Sequence, residues 1–453
     1  MTRRQLRIGT MQTKATARGR TARLLAATLW LTSLTAFAPT ACAEWIETAK
    51  LFGADTLPGS WAGWGSKGVD IDSGTVVLGA AQPNGVGPGE AYVFRNEGGG
   101  WTQVGELAAL DGAVGELFGS AVAVSGNRAV VTAPEGRSPA GRTGAAYVFE
   151  YSGSAWQQVA KLTADDGASG DTFGSDVAIH GDSIIVGANH DEDQGHFTGA
   201  AYVFRNDGSG WSQAAKLTAS DQAEFDGFGT AVAIHGNTAL VGAVDEGADG
   251  SVYVFEDSGA GWQQVGKWTA TEKTGINGAF GWSLDLEENR AVVGRFRAPD
   301  EAGGAGAAYV FDRTDSGWME TARLLADDAA SGDALGISVG LSGDTIIAGA
   351  YSNDELGGGA GAAYVFDFDG TGWSQTQKLF GSTVAASDLF GYSVAVENGT
   401  IVATSLGDDE AGARAGAAFV FANVPEPSSW ALMISGAAAL ALLARRRRRP
   451  MSD

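Results

Sequence analysis

Cysteine is nearly absent: Cys42 is the only one in 453 residues. One thiol allows no intrachain disulfide and no thiolate metal cluster. Proline is scarce, at 10, and glycine follows no G-x-y period, which excludes collagen. Positive charge is scarce as well. Lys and Arg total 30 against 53 Asp and Glu, a net charge of −23. Such a chain will not track a phosphate backbone, so nucleic acid is not an expected partner. The body of the chain has no long stretch of helical period. What is abundant is glycine, 68 residues, about twice the usual share of roughly 7%. Together with 44% hydrophobic residues, this points to an all-β chain with a large core and many turns.

Both ends read as addresses. Residues 1–43 carry seven basic residues and no acid, then an apolar run from Leu24 to Ala38, then Ala41-Cys42-Ala43. This is the pattern of a secretory signal peptide cut after Ala43. The cut removes Cys42, so the mature chain has no thiol. The other end, 424–449, carries Pro425-Glu426-Pro427, an apolar stretch from Trp430 to Ala444, and five arginines, Arg445–Arg449; residues 450–453 form a short tail. Fifteen apolar residues make a short transmembrane helix, and the arginines orient it with the body outside. Motif, helix and arginine cluster in this order resemble the PEP-CTERM sorting signal of Gram-negative bacteria. The resemblance implies processing near Pro425-Glu426-Pro427 by an exosortase. It also implies export through the inner membrane, transient anchoring by the C-terminus, and delivery to the cell surface or extracellular matrix.

Residues 44–423 repeat one unit seven times. Phe118-Gly119, Phe173-Gly174, Phe228-Gly229, Phe280-Gly281, Leu335-Gly336 and Phe390-Gly391 recur at spacings of 55, 55, 52, 55 and 55, with Trp64-Gly65 preceding them by 54. A second column is Tyr92, Tyr147, Tyr202, Tyr253, Tyr309, Tyr364 and Phe419, each followed by Val-Phe. A third is Trp101, Trp156, Trp211, Trp262, Trp318 and Trp373. Each unit predicts four short strands, the first rich in small residues and the fourth more polar. Four-stranded sheets repeated around an axis make a β-propeller, here seven-bladed. The seventh unit lacks its Trp strand, and Trp45 to Leu51 at the other end has that pattern. The N-terminal strand is therefore expected to complete the last blade and close the ring.

The units resemble FG-GAP repeats, the blades of the integrin α-chain propeller, in their bacterial form. Phe173-Gly174, Ile184-Ile185-Val186-Gly187-Ala188 and Ala201-Tyr202-Val203-Phe204 carry the pattern within one blade. Many such blades hold calcium in a D-x-D-x-D-G loop between their first two strands. Here that link is a tight turn, as in Ser125-Gly126-Asn127, and only Asp70-Ile71-Asp72 hints at the loop. The family's calcium sites therefore do not carry over.

Candidate chemistry is sparse. Gly336-Ile337-Ser338-Val339-Gly340 matches a nucleophile elbow, but Ser338 shares a column with Ser283 and Ser393 in a first strand, whereas the elbow needs a strand-to-helix turn. No catalytic residue is assigned. His190, Asp191, Asp193 and His196 bunch in one loop and are weak candidates for a divalent metal. Arg295-Phe296-Arg297 interrupts the small residues of the other units and is a possible ligand contact. Lys67, Asp176 and Asp285 replace small residues in first strands and are expected to line the channel.

The body holds 18 basic and 51 acidic residues, net −33. Its acids gather in the second-to-third loops (Asp191, Asp193, Asp245, Asp354, Asp408) and the blade-to-blade loops (Asp166, Asp221, Asp328), which a four-stranded meander sends to one face. That face should steer cationic partners or bind calcium weakly; solubility is the plainer account. No cofactor is required. The expected function is a secreted binding, adhesion or matrix-associated module with an extracellular protein or polysaccharide ligand. The alternatives are an extracellular polysaccharide-active enzyme using loop carboxylates, and a passive surface protein.

Overall fold

A computed structural model describes residues 44–424, apart from 66, 85–86, 139, 248, 273–277 and 299–303. The predicted signal peptide with Ala43, and the C-terminal segment with Pro425, Glu426 and Pro427, lie outside the described residues. Among the described residues no helix is long and apolar enough to cross a membrane.

Residues Glu44–Val424 form one compact unit of seven four-stranded antiparallel sheets. Six blades are simple meanders: blade 1 runs from Val69 to Leu107, blade 2 from Val122 to Leu162, blade 3 from Val177 to Leu217, blade 4 from Phe228 to Trp268, blade 5 from Ser283 to Leu324 and blade 6 from Val339 to Leu379. Within a blade, the strand character follows burial. The second strand of blade 3, Ser183–Ala188, is buried throughout, so it reads Ser-Ile-Ile-Val-Gly-Ala with no alternation. The outer strand, Trp211–Leu217, alternates exposed and half-buried positions, so it carries polar residues. Every outer strand also has a register irregularity against the third, as between Val203 and Phe204. A bulge increases strand twist, which suits the outer edge of a splayed blade.

The repeated aromatic columns meet in space. Phe173 packs edge-on against Tyr202 and Phe204 of its own third strand, with ring centroids 5.5 and 5.9 Å apart. The same trio recurs as Phe118 with Tyr147 and Phe149, and as Phe228 with Tyr253 and Phe255. The cores lie between blades. One buried cluster joins Val130 and Val148 of blade 2 to Val177, Ile184 and Tyr202 of blade 3. Blades approach to backbone contact: a β-carbon on Gly187 would lie 2.0 Å from the carbonyl oxygen of Gly229 in the next blade.

Blade 7 is made from both ends of the unit. Phe390–Glu397, Thr400–Ser405 and Ala417–Val424 supply three strands, and Glu44–Leu51 supplies the outer one. It pairs antiparallel with Ala417–Val424, from Glu44 opposite Val424 to Leu51 opposite Ala418. Trp45 is buried with Phe419, Phe421 and residues of blade 6. Removing a buried tryptophan costs about 3–5 kcal/mol, and losing the strand also strips Ala417–Val424 of its ladder. Deletion of residues 44–52 is therefore expected to lower the melting temperature of the whole unit. A truncated chain that melts like the parent would refute closure by this strand.

Candidate functional site

The loop face is more ordered than a field of acids. On six of the seven outer strands, the residue before the terminal Leu or Trp is a lysine or arginine that reaches over the ring of the third-strand aromatic and ends among loop carboxylates. Lys216 lies over Tyr202, 5.3 Å from its centroid, and binds Asp166, Asp191 and Asp193 at 2.8, 3.0 and 2.6 Å. Lys267 lies over Tyr253 and binds Asp221 and Glu246. Lys378 lies over Tyr364 and binds Asp328 and Glu355. Lys50 repeats this on Phe419 with Asp408 and Glu410. Lys216, Lys267 and Lys378 thus tie a blade-to-blade loop to a second-to-third loop through carboxylates, and Lys50 reaches its blade-to-blade loop through Thr383. Burial alone would lower the pKa of the Lys216 ammonium; its bonds to Asp166, Asp193 and Asp191 outweigh that and raise it. Sequence reasoning misses the lysine column, although Lys-Leu closing four of the seven Trp segments is its signal.

Blade 1 breaks the pattern. Glu106 stands opposite Tyr92 where the other blades have Lys or Arg. Asp55, Glu90 and Glu106 bring carboxylate oxygens within 4.8 Å of one another. Burial, then Asp55 and Glu90, push the Glu106 carboxyl up.

The four loop candidates for metal do not converge. Asp191 is buried and accepts from Tyr202 Oη at 2.7 Å, and its carboxylate, like that of Asp193, is bound to Lys216. His190 is exposed and packs against Phe197 at 4.6 Å, while His196 Nδ1 lies 3.3 Å from Glu192. Among the described residues, only the blade 1 carboxylates show metal-ligand spacing.

The Arg295-Phe296-Arg297 segment is mostly interior. Arg295 is 0% exposed, ion-paired with Asp249, and donates to the Glu272 carbonyl at 2.9 Å. Phe296 packs edge-on against Trp282 in a small buried cluster with Val244 and Ile337. Arg297 is exposed over the face of Phe296. The surface of this segment is therefore Arg297.

On the opposite face, Arg128 and Arg290 are also committed. Arg128 binds Glu150 of its own blade and Asp182 of the next; Arg290 does the same with Asp312 and Asp344.

The channel has its own polar order. The first strands are sheet edges, so their outward N–H groups need partners. Side chains of the preceding blade provide them. Val124 N–H donates to Asp70, Val232 to Asp176 and Leu341 to Asp285, each at 2.8 Å. Ser338 and Ser393 accept in the same way from Val394 and Val69. Near the turns a second tier repeats the device, with Gly126 donating to Asp72, Gly236 to His180 Nδ1, Gly343 to Glu287 and Gly74 to Glu397. His180 must be neutral at Nδ1 to accept; burial and then His235, whose ring is 4.1 Å away, hold its pKa down. This accounts for Asp70 and Asp72, which lie on the strand Val69–Asp72 and cap a neighbour. The turns after the first strands hold two residues, since Ser125 pairs with Arg128 and His180 with Ser183. A calcium loop does not fit there.

Lys67, Asp70 and Asp285 line a channel cavity of about 190 Å³, and Asp176 belongs to the same charge cluster. Burial raises Asp70 and Asp176 to about 6, partly offset by Lys67. Lys67 is raised: burial works against its charge, and Asp285, Asp70 and Asp176 more than compensate.

Two predictions follow from these clusters. A carboxyl raised in the fold favours the protonated folded state. Its contribution is complete below the unfolded value of 3.8 and is lost as pH rises through about 6. The Asp70→Asn/Asp176→Asn variant keeps both acceptors but cannot titrate. Its stability should fall less than the parent's between pH 4 and 6, by on the order of 1–3 kcal/mol. Parallel denaturation-midpoint curves would contradict the channel assignment. At the rim, Glu106→Lys restores the arrangement of the other blades. It should raise stability by about 0.5–1 kcal/mol at low salt, and less at high salt; an unchanged or lower melting temperature counts against the charge account.

Set beside known proteins, the chain matches the FG-GAP repeat family at residues 101–149, 156–204, 211–255, 262–311, 318–366 and 373–421. Each match starts on the Trp strand of one blade and ends on the Tyr-Val-Phe strand of the next, so the sequence repeat is offset from the blade. The PEP-CTERM protein-sorting motif matches residues 423–449 and implies processing by an exosortase. No curated protein matches the chain. Among solved structures, the crystal structure of Saccharomyces cerevisiae Sqt1 is similar at a TM-score of 0.47 and 13% identity, covering 84% of this chain and 99% of that one.

Proposed function

We propose, from the premise that the chain belongs to the FG-GAP repeat family, that it is an exported, surface-sorted binding module that presents its loop face to an extracellular ligand. The observation that carries this reading is the junction at the end of the unit. The last strand, Ala417–Val424, runs directly into the matched sorting motif at 423–449, so the sorted object is the propeller itself. That motif implies export and surface sorting in a Gram-negative bacterium; adhesion to a matrix component is the finer claim.

The reading is non-enzymatic. Glycoside hydrolysis needs one unlike pair of carboxyls with a raised acid between sugar-binding walls. Outside the blade 1 group the rim carboxylates instead repeat blade by blade, and lysines hold pairs of them in blades 3, 4 and 6. A repeated rim suits many similar contacts, whose avidity exceeds that of any single one. The module requires no cofactor.

The test is co-sedimentation of the exported protein with extracellular matrix from the producing cells, in calcium and in chelator. Saturable sedimentation is expected, weakening as salt rises. A folded protein that stays in the supernatant under all conditions sinks the adhesion reading. Release of reducing sugar from the matrix would replace it with the enzymatic one.

A further inference from the structure

We propose that a pocket on the loop face, where blades 6, 7 and 1 meet, binds one neutral sugar ring of an extracellular polysaccharide, with Trp61 as stacking surface and Arg414 as hydrogen-bond donor. This inference rests on the binding role above and gives that role a site and a ligand class.

Four loops build the pocket. Trp61 comes from the connection between blades 7 and 1, and Ser387 and Leu389 from that between blades 6 and 7. Gly359 belongs to the second-to-third loop of blade 6; Leu406 and Arg414 belong to that of blade 7. Backbone bonds hold these loops together. Trp61 N–H donates to the Arg414 carbonyl at 3.2 Å, Leu389 N–H to that of Gly359 at 3.0 Å, and Gly407 N–H to that of Asp388 at 2.9 Å. The volume is about 270 Å³, at the small end of the roughly 300–1,000 Å³ usual for ligand sites. That suits a single six-membered ring.

The walls depart from the repeat. In blade 1 the backbone place of the Phe-Gly pair is taken by Ala62-Gly63. Ala62 N–H donates to Ala415 as Phe390 N–H does to Ala360, and Gly63 N–H donates to Gly79 as Gly174 N–H does to Gly187. Trp61 therefore stands in the column of Leu117, Thr172, Gly227, Ala279, Ala334 and Leu389, all at positive φ. It is the one aromatic residue there, half-buried and at φ 51°. A bulky ring in the left-handed region is a strained choice, and such strain concentrates where function requires it. Leu389 and Leu406 occupy the positions of Thr172 and Asn189 in blade 3, where the threonine hydroxyl donates to Asn189 Oδ1 at 2.8 Å. Around blade 7 an apolar wall replaces that polar contact.

Arg414 is exposed, with its guanidinium 6.0 Å from the centroid of Trp61. Its counterpart in blade 2, Arg142, pairs with Glu135; blade 3 has Phe197 there, and blades 5 and 6 have Gly304 and Gly359. Among the described residues no carboxylate pairs with Arg414, so its donors are open to a ligand.

Charge selects that ligand. Arg414 opposes an incoming cation. The net charge of −33 over residues 44–423 opposes a polyanion. Asp354 and Asp409 bring that charge to the rim itself, accepting from Gly359 N–H and Arg414 N–H at 2.7 and 2.6 Å. A neutral pyranose avoids both penalties. Its C–H face packs on an aromatic ring, and its hydroxyls accept from a guanidinium. The pocket also faces away from the sorting motif. Ala417–Val424 starts beside the loop that carries Arg414 and runs to the opposite face, where the motif begins.

The test uses Trp61→Leu and Arg414→Gly, which install residues that sister blades have in the same positions. Both variants should melt close to the parent temperature; if Trp61→Leu does not fold, the exposed Arg414→Gly carries the test. The exported protein is titrated calorimetrically with neutral hexasaccharides of glucose, mannose and galactose, and with oligogalacturonate. At least one neutral hexasaccharide should bind, equally at low and high salt. Each variant should bind it about tenfold more weakly. Equal binding by parent and variants overturns the proposal. So does preference for oligogalacturonate, or binding of no sugar. Matrix co-sedimentation separates the two claims. If no hexasaccharide binds yet the parent sediments, the pocket fails and adhesion stands. If the parent stays in the supernatant while a neutral hexasaccharide binds it and not the variants, adhesion fails and the pocket stands.

Discussion

Successive blades touch through backbone, and most of the architecture depends on that approach. Gly187 faces the carbonyl of Gly229, Gly242 that of Gly281, Gly294 that of Gly336 and Gly349 that of Gly391, all at distances no β-carbon could occupy. Blades 2 and 7 solve the same contact with Thr132 and Thr404, whose hydroxyls accept from the N–H of Ala121 and Ser393. Close approach brings first strands near enough for one blade's side chains to cap the next blade's edge. Such caps link blades 1 and 2, 3 and 4, 5 and 6, 6 and 7, and 7 and 1, so most of the exposed sheet edges at the axis are joined to a neighbour. Close approach also explains why Asp70 and Asp176 are raised: each has a backbone donor on one side and little solvent on the other.

The fold was legible because packing repeats. Phe173, Tyr202 and Phe204 form one contact group, so their columns recur together, and the ring closure showed as a Trp strand displaced to the other end. The loop face was half legible. Its acids stood out as local clusters, but their lysines are 21 to 50 residues away, as in Lys267 with Glu246 and Lys216 with Asp166, or 360 away, as in Lys50 with Glu410. Such pairs become visible only once strand register is known. His190, Asp191, Asp193 and His196 are neighbours in sequence, yet the loop turns Asp191 inward to Tyr202 and leaves both histidines outside. Arg295 read as a surface departure because its partner Asp249 lies in the adjoining blade. Lys67, Asp176 and Asp285 were legible as departures from small residues on first strands; Asp70 was visible only as a fragment of a calcium motif.

The repeat separates construction from individual character. Positions that hold blades together are nearly invariant from unit to unit: the Phe-Gly contact, the Tyr-Val-Phe strand, the lysine clamp. Departures are few and local, at Glu106 in blade 1, Phe197 and Phe225 between blades 3 and 4, and Arg295 in blade 5. A protein in which most local choices agree with the fold can carry a few that do not.

The pairing of Glu44 with Val424 has a mechanical meaning. The two chain ends of the propeller leave side by side from one blade, at the open end of an antiparallel ladder. Drawing them apart would unzip that ladder one rung at a time, which takes little force. Ala417–Val424 alone is gripped on both flanks, by Thr400–Ser405 and Glu44–Leu51. A pull transmitted through Val424 alone, with the loop face holding on elsewhere, therefore loads two ladders in shear along their length. A tether at this one end makes the closing blade the strongest point of attachment; a load across both ends would make it the weakest.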